Sequence, residues 1–242
     1  MLFRSAWPST AARSALLDCD VVIGYGLYLD LLRPLFHPNQ VIEPSKITQE
    51  VQRSERAVTL AQQGLTVGMV SSGDCGIYGM AGLVLECLAQ RDWDGRTPGV
   101  SVMPGITALQ AVASRVGAPL MHDFCAISLS DLLTPWEVIE KRLEAAAQGD
   151  FVVALYNPRS QTRTKGIKIA LDILRRHRSA DTPVAIARSL YRSEESVRCL
   201  TLEEIDVNDI DMLTVVLIGN AATFLHRGHM ITPRGYTVSS SL

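Results

Sequence analysis

Short apolar runs recur along this 242-residue chain, and a helical pattern separates most successive pairs. CDVVIG at 19–24, LTVGMVS at 65–71, GVSVM at 99–103, FVVALY at 151–156, VAIAR at 184–188 and LTVVLI at 213–218 have the length of strands, and the most apolar of them suit strands covered on both faces. A polar-apolar alternation at 196–201 adds another. Helical patterns fill 47–63, 78–91, 106–116, 134–148 and 165–177. Ser45 or Thr48 starts the first and Gly64 stops it, Gly117 closes the third, and Pro135 falls in the first turn of the fourth, where proline is tolerated. Strands alternating with helices demand α/β layers. The pattern restarts across 117–123, which predicts two α/β domains, 1–118 and 119–242, each a mixed sheet flanked by helices. No internal repeat or low-complexity segment occurs, and the tail from Gly228 reads as irregular.

Charge excludes some partners. Lys and Arg total 23 against 25 Asp and Glu, so nothing in the net charge of −2 favours nucleic acid or an anionic membrane. No run of about 18 uncharged apolar residues marks a membrane span, and the first twenty residues lack the apolar core of a signal peptide. The five cysteines (19, 75, 87, 125 and 199) form no C-x-x-C pair, and their odd number suits a reducing cytoplasm.

Four clusters are able to carry chemistry. Ser71-Ser72-Gly73-Asp74-Cys75-Gly76-Ile77-Tyr78-Gly79 lies between a strand and a helix. Its three glycines allow a sharp turn and close approach to a ligand, and Asp74 offers acceptors for ribose hydroxyls or an amino group. The segment is neither a P-loop nor G-x-G-x-x-G. A second such loop, Met103-Pro104-Gly105-Ile106-Thr107-Ala108, has the same placement; Thr107 is able to cap the helix or to meet a ligand. The third cluster, Tyr156 to Lys165, holds Arg159, Arg163 and Lys165, suited to carboxylates, or else is a solvated loop. The fourth, 121–131, concentrates His122, Asp123, Cys125 and Asp131. His122 or Asp131 is able to move protons. His122 and Cys125 without further ligands do not make a metal site, and His226 and His229 read as surface residues.

Together, SSGDCGIYGMAGLVLE, the stretch from MPGITALQ through LMHDFC to WEVIEKRL, YNPRSQTR, DMLTVVLIGN and MITPRGYT resemble the precorrin-3B/cobalt-factor III C-17-methyltransferases, class III tetrapyrrole methylases. The likeness runs from about 20 to 238; the block 117–136 is its most specific part, and LMHDFC with MITPRGY is closer to the branch whose substrate contains cobalt. The resemblance implies a two-domain tetrapyrrole methylase fold, S-adenosylmethionine folded in the cleft between the domains, and a cytoplasmic homodimer. It places the cofactor on Ser72, Gly73, Asp74 and Ile77, on Thr107 and Ala108, on Asn157 and on Leu190. Cys75 stands where the family has Pro or Ala. Family members begin with a strand and a G-x-G-P-G loop; this chain begins inside the following helix, around Ala6 to Leu17. That leads us to expect a truncation or a misplaced start, with an exposed position in the first sheet.

The implied reaction is C-17 methylation followed by ring contraction. Methyl transfer at a sulfonium carbon chiefly needs positioning and no metal. A tetrapyrrole polyacid gives Arg159, Arg163 and Lys165 a purpose as carboxylate clamps. Contraction needs a base, with His122 the first choice and Asp131 the second. Two other classes compete: a non-catalytic tetrapyrrole- or partner-binding chain, and a nucleotide-dependent oxidoreductase, which the missing G-x-G-x-x-G and the missing acidic residue after a second strand disfavour.

Overall fold

A computed structural model describes residues 9–237, so Ala6, Trp7 and Pro8 of the expected first helix lie outside the described residues. The chain forms two compact units, Met1–Thr107 and Ala108–Leu242.

The first unit runs α1 (Thr10–Leu17), β1 (Val21–Tyr25), α2 (Gly26–Leu32), β2 (Val41–Ser45), α3 (Glu50–Gln62), β3 (Val67–Val70) and α4 (Ala81–Ala89). Ser9 caps α1 by accepting from the Ala12 N–H. The three strands form a parallel sheet in the order β2-β1-β3. β1 is central, and its alternate side chains feed two cores. Val22 packs with Leu16, Leu29 and Leu32, whereas Val21 and Ile23 pack with Ala57 and Leu60 of α3. That double burial explains the unbroken apolar run.

The strand expected at 99–103 does not form: these residues pair with no strand, and among the described residues β3 is bonded only to β1. β3 is only half-buried along its length, and Val102 is half exposed. The alternation was compatible with a strand, but a strand also needs a partner along its edge.

The second unit opens with α5 (Ala108–Val116) and β4 (Gly117–Ala118). It continues through β5 (Phe124–Ser128), α6 (Trp136–Gln148), β6 (Val152–Tyr156), α7 (Lys165–Arg175), β7 (Pro183–Arg188), β8 (Ser196–Thr201), β9 (Thr214–Ile218), β10 (Phe224–His226) and β11 (His229–Ile231). Five strands form a mixed sheet in the order β5-β6-β9-β7-β8, with β5 and β6 parallel and the other pairings antiparallel. Leu143 of α6 and Ile167, Leu171 and Leu174 of α7 bury completely against Val153 and Leu155. Each such side chain contributes roughly 2 kcal/mol.

Two expectations change here. The helix α5 was placed with the first domain by the 118/119 boundary, but it lies against β7, β8 and β9 and counts with the second unit. The tail was expected to be irregular. Instead Arg227 and Gly228, both at positive φ, turn a hairpin between β10 and β11, and β11 runs parallel to β4. His226 and His229 face each other across that hairpin and are exposed. Among the described residues no helix is long and apolar enough to cross a membrane.

Candidate active site

In the first unit the loop after β3 and the loop leading to α5 are brought together by one carboxylate. Asp74 Oδ1 accepts from the Gly76 N–H at 2.8 Å, closing its own turn. Its other oxygen, Oδ2, accepts from the Gly105 N–H, also at 2.8 Å. The Cys75 thiol reaches the Met103 carbonyl at 3.3 Å, and burial, then the charge of Asp74, push its pKa up. Gly73 takes a positive φ of 70°. Gly105 lies so close to the Gly73 carbonyl that a Cβ there would collide with it. The two glycine turns are therefore packed backbone on backbone, which no other residue permits at 105. Ser72 and Asp74 are half-buried on this rim, Ile77 is exposed, and Thr107 is buried.

In the second unit β5, β6 and β7 all point the same way, because β6 and β7 both run antiparallel to β9. Asp131, Asn157 and Leu190 thus follow strand ends on one edge of the sheet, the usual ligand edge of open α/β sheets. Asn157 holds a positive φ of 49° and donates from Nδ2 to Ser128 Oγ at 3.0 Å. Leu190 is buried between Ser189 (φ 49°) and Tyr191 (φ 60°). Non-glycine residues in this region each cost on the order of 1 kcal/mol or more, and they persist where the surroundings impose them.

The three expected carboxylate clamps differ in availability. The Arg163 guanidinium is occupied: Nη1 donates to the Leu129 carbonyl at 3.0 Å and the Asn157 carbonyl at 3.2 Å, and Nε lies 3.9 Å from Asp131. It braces the rim. Arg159 gives Nη1 to the Val207 carbonyl at 2.7 Å. Lys165 is exposed at the start of α7. Leu129, Asp131, Trp136, Arg163, Thr164 and Lys165 contribute to the wall of a cavity of about 170 Å³.

His122 is elsewhere. It precedes β5, whereas Asp131 follows it, so about 16 Å of strand separates the two edges. His122 shares a hollow of about 350 Å³ with Asp150, Asn220 and Arg234, and its Nδ1 accepts from the Asp123 N–H at 2.9 Å. Among the described residues no group of three His, Cys, Asp or Glu is placed to hold a metal ion.

Three further groups at the strand-end edge, to which the sequence assigns no role, make contacts there. Ser128 is the partner of Asn157. The Tyr156 hydroxyl accepts from the Leu109 N–H at 2.7 Å, and a tyrosine closing an otherwise aliphatic strand was the signal available. Arg188 Nε donates to Asp211 at 2.7 Å. Burial acts to raise the Asp211 pKa, but hydrogen bonds from Arg188, Thr214 and the Leu213 N–H outweigh it and hold the carboxyl below its ordinary range.

With this geometry in place, comparison with known proteins is informative. Residues 9–206 match the model of the Tetrapyrrole (Corrin/Porphyrin) Methylases. The chain is 51% identical over 227 residues to a cobalt-factor III methyltransferase of Priestia megaterium; the match covers 93% of this chain but only 42% of that longer protein. It is 47% identical over 227 residues to a probable cobalt-factor III C(17)-methyltransferase of Salmonella typhimurium, covering 94% of this chain and 92% of the relative. Among solved structures, that of the methyltransferase CobJ matches with a TM-score of 0.86 and 38% identity, covering 94% of this chain and 93% of the other.

Proposed function

The chain belongs to the tetrapyrrole (corrin/porphyrin) methylases, and from that premise we propose that it methylates C-17 of cobalt-factor III or precorrin-3B and promotes contraction of the macrocycle. The observation that carries this reading is the 47% identity to the Salmonella typhimurium relative over nearly the full length of both chains. S-adenosylmethionine supplies the electrophilic methyl group. We assign its binding to Ser72, Gly73, Asp74, Ile77, Thr107, Ala108, Asn157 and Leu190.

The chemistry of these residues suits that donor. Close-packed glycine turns expose main-chain groups to polar parts of a ligand, and exposed Ile77 offers apolar surface to a flat base. Lys165 and the remaining N–H groups of Arg159 receive acetate and propionate carboxylates of the substrate. Asp131 shares its rim with Asn157, whereas His122 lies at the opposite edge of the same sheet. We therefore place proton abstraction for ring contraction on Asp131 ahead of His122. The same reading extends to a homodimer in the cytoplasm, which light scattering and cell fractionation check.

The test is anaerobic incubation with methyl-labelled S-adenosylmethionine and either tetrapyrrole, followed by mass spectrometry. One methyl group gained by a contracted macrocycle supports the reading; no incorporation with either substrate overturns it. Asp131→Asn should accumulate methylated, uncontracted product, and a normal product distribution removes Asp131 from the proton transfer.

A further inference from the structure

We propose that Tyr156 and Tyr191 are positioning residues that clamp α5 at both ends and so fix the three segments carrying Ala108, Asn157 and Leu190; this rests on the donor-site reading above. The first turn of a helix has N–H groups without intrahelical partners, normally met by a nearby side chain in sequence. In α5 the Leu109 N–H is met by the phenol of Tyr156, 47 residues away on β6. Leu109 follows Ala108 directly, and Tyr156 directly precedes Asn157. One hydrogen bond thus joins two segments at the residues expected to touch the donor.

The last turn of α5 is held in the same manner. The Tyr191 hydroxyl lies 2.6 Å from Ser114 Oγ, and the Arg115 guanidinium sits 3.9 Å from the Tyr191 ring centroid. Arg115 Nε also pairs with Glu195 at 2.9 Å, and Glu195 accepts from the Tyr191 backbone N–H. The loop bearing Leu190 is therefore docked on α5 through both the ring and the main chain of its neighbour. Ser189 and Tyr191, on either side of Leu190, are both at positive φ. Asn157 is a third such residue. Strained residues hold a single conformation only when neighbours over-determine it, and the two tyrosines supply that constraint beside all three.

Phenylalanine at either position keeps the ring and removes only the hydroxyl, so packing is conserved. For Tyr156→Phe and Tyr191→Phe we expect three- to tenfold weaker binding of S-adenosylhomocysteine by calorimetry, the effect of losing about one hydrogen bond. The donor KM should rise by the same factor and by more than kcat falls, while the tetrapyrrole KM holds. Ser114→Ala, which removes the other partner of Tyr191, should reproduce the Tyr191→Phe result. Wild-type binding with undiminished affinity in both tyrosine variants, even alongside a lowered melting temperature, overturns the clamp and leaves the donor site standing. Failure of the wild-type protein itself to bind S-adenosylhomocysteine overturns the donor site and the clamp with it.

Discussion

Gly105→Ala tests the joint between the two glycine loops of the first unit. Gly105 is absent from the positive-φ residues, so alanine suits its backbone conformation and any effect is steric. The added Cβ would collide with the Gly73 carbonyl oxygen, and would lie 3.0 Å from the Gly73 carbonyl carbon and 3.1 Å from the Asp74 Cα. All three are main-chain atoms that cannot rotate aside. The loops must part, and the 2.8 Å bond from the Gly105 N–H to Asp74 Oδ2 is the bond that stretches. A hydrogen bond to a carboxylate contributes roughly 1.5–3 kcal/mol, so donor affinity should fall by about ten- to a hundredfold. Calorimetry with S-adenosylhomocysteine reads the affinity, and differential scanning reads the melting temperature. Gly82→Ala is the matched control: nothing lies within 4 Å of its Cβ, and it sits inside α4, where alanine adds up to about 1 kcal/mol. Wild-type affinity and wild-type melting in Gly105→Ala would refute the reasoning.

Arg163→Met keeps much of the side chain's length but loses the Nη1 that donates to both the Leu129 and Asn157 carbonyls; we expect about 2 kcal/mol of lost stability and a melting point lower by roughly 5 °C, and an unshifted transition would show that the brace is idle. Asp211 is ionised more readily in the folded chain than in the unfolded one. Its stabilising effect is complete above the unfolded value of about 3.9 and fades as pH falls through the lower folded value. Asp211→Asn should therefore be less stable than wild type at pH 7 and lose less on acidification below about pH 4, as read by urea titrations across pH; parallel pH curves would disprove the linkage. Burial pushes the Cys125 thiol up to about 11 from 9.0, against an opposing pull from Arg178. At pH 8 iodoacetamide should label it about 100-fold more slowly in the native than in the denatured chain, and equal rates would contradict the burial argument.

What could be read from the sequence followed from local patterns, and what could not depended on partners distant in the chain. CDVVIG announces β1 because a central parallel strand is covered on both faces, so Val21, Val22 and Ile23 are all apolar. GVSVM carries an equally good local pattern at 99–103, yet among the described residues no strand pairs with it, and pairing is not encoded in alternation. α5 was visible as a helix, but the sheet it packs on was not. The glycine turns were legible because strand-to-helix reversals need them. That Asp74 serves Gly105 was hidden, since the partner lies 31 residues on. Arg163 looked like a free cation because backbone carbonyls leave no mark in a sequence. The separation of His122 from Asp131 was implicit all along: a five-residue strand between two residues puts them at opposite edges of a sheet.

Three polar residues of these rims share one habit, and it bears on the chemistry. Asp74 uses both oxygens on main-chain N–H groups, Arg163 uses Nη1 on two main-chain carbonyls, and Tyr156 uses its hydroxyl on a helix N–H. An enzyme that generated its own nucleophile or acid would keep such groups aimed at substrate. Here they stiffen the loops. That economy suits a reaction whose electrophile arrives already activated, where rate comes from holding two partners in line and little is gained from proton transfer at the methyl itself. It follows that the methylation step should show little pH dependence near neutrality, while the proposed ring contraction, which requires a base, should lose rate on the acid side. A methylation rate that titrates with the contraction rate would show that one ionising group serves both steps, and the division of labour argued from these hydrogen bonds would fail.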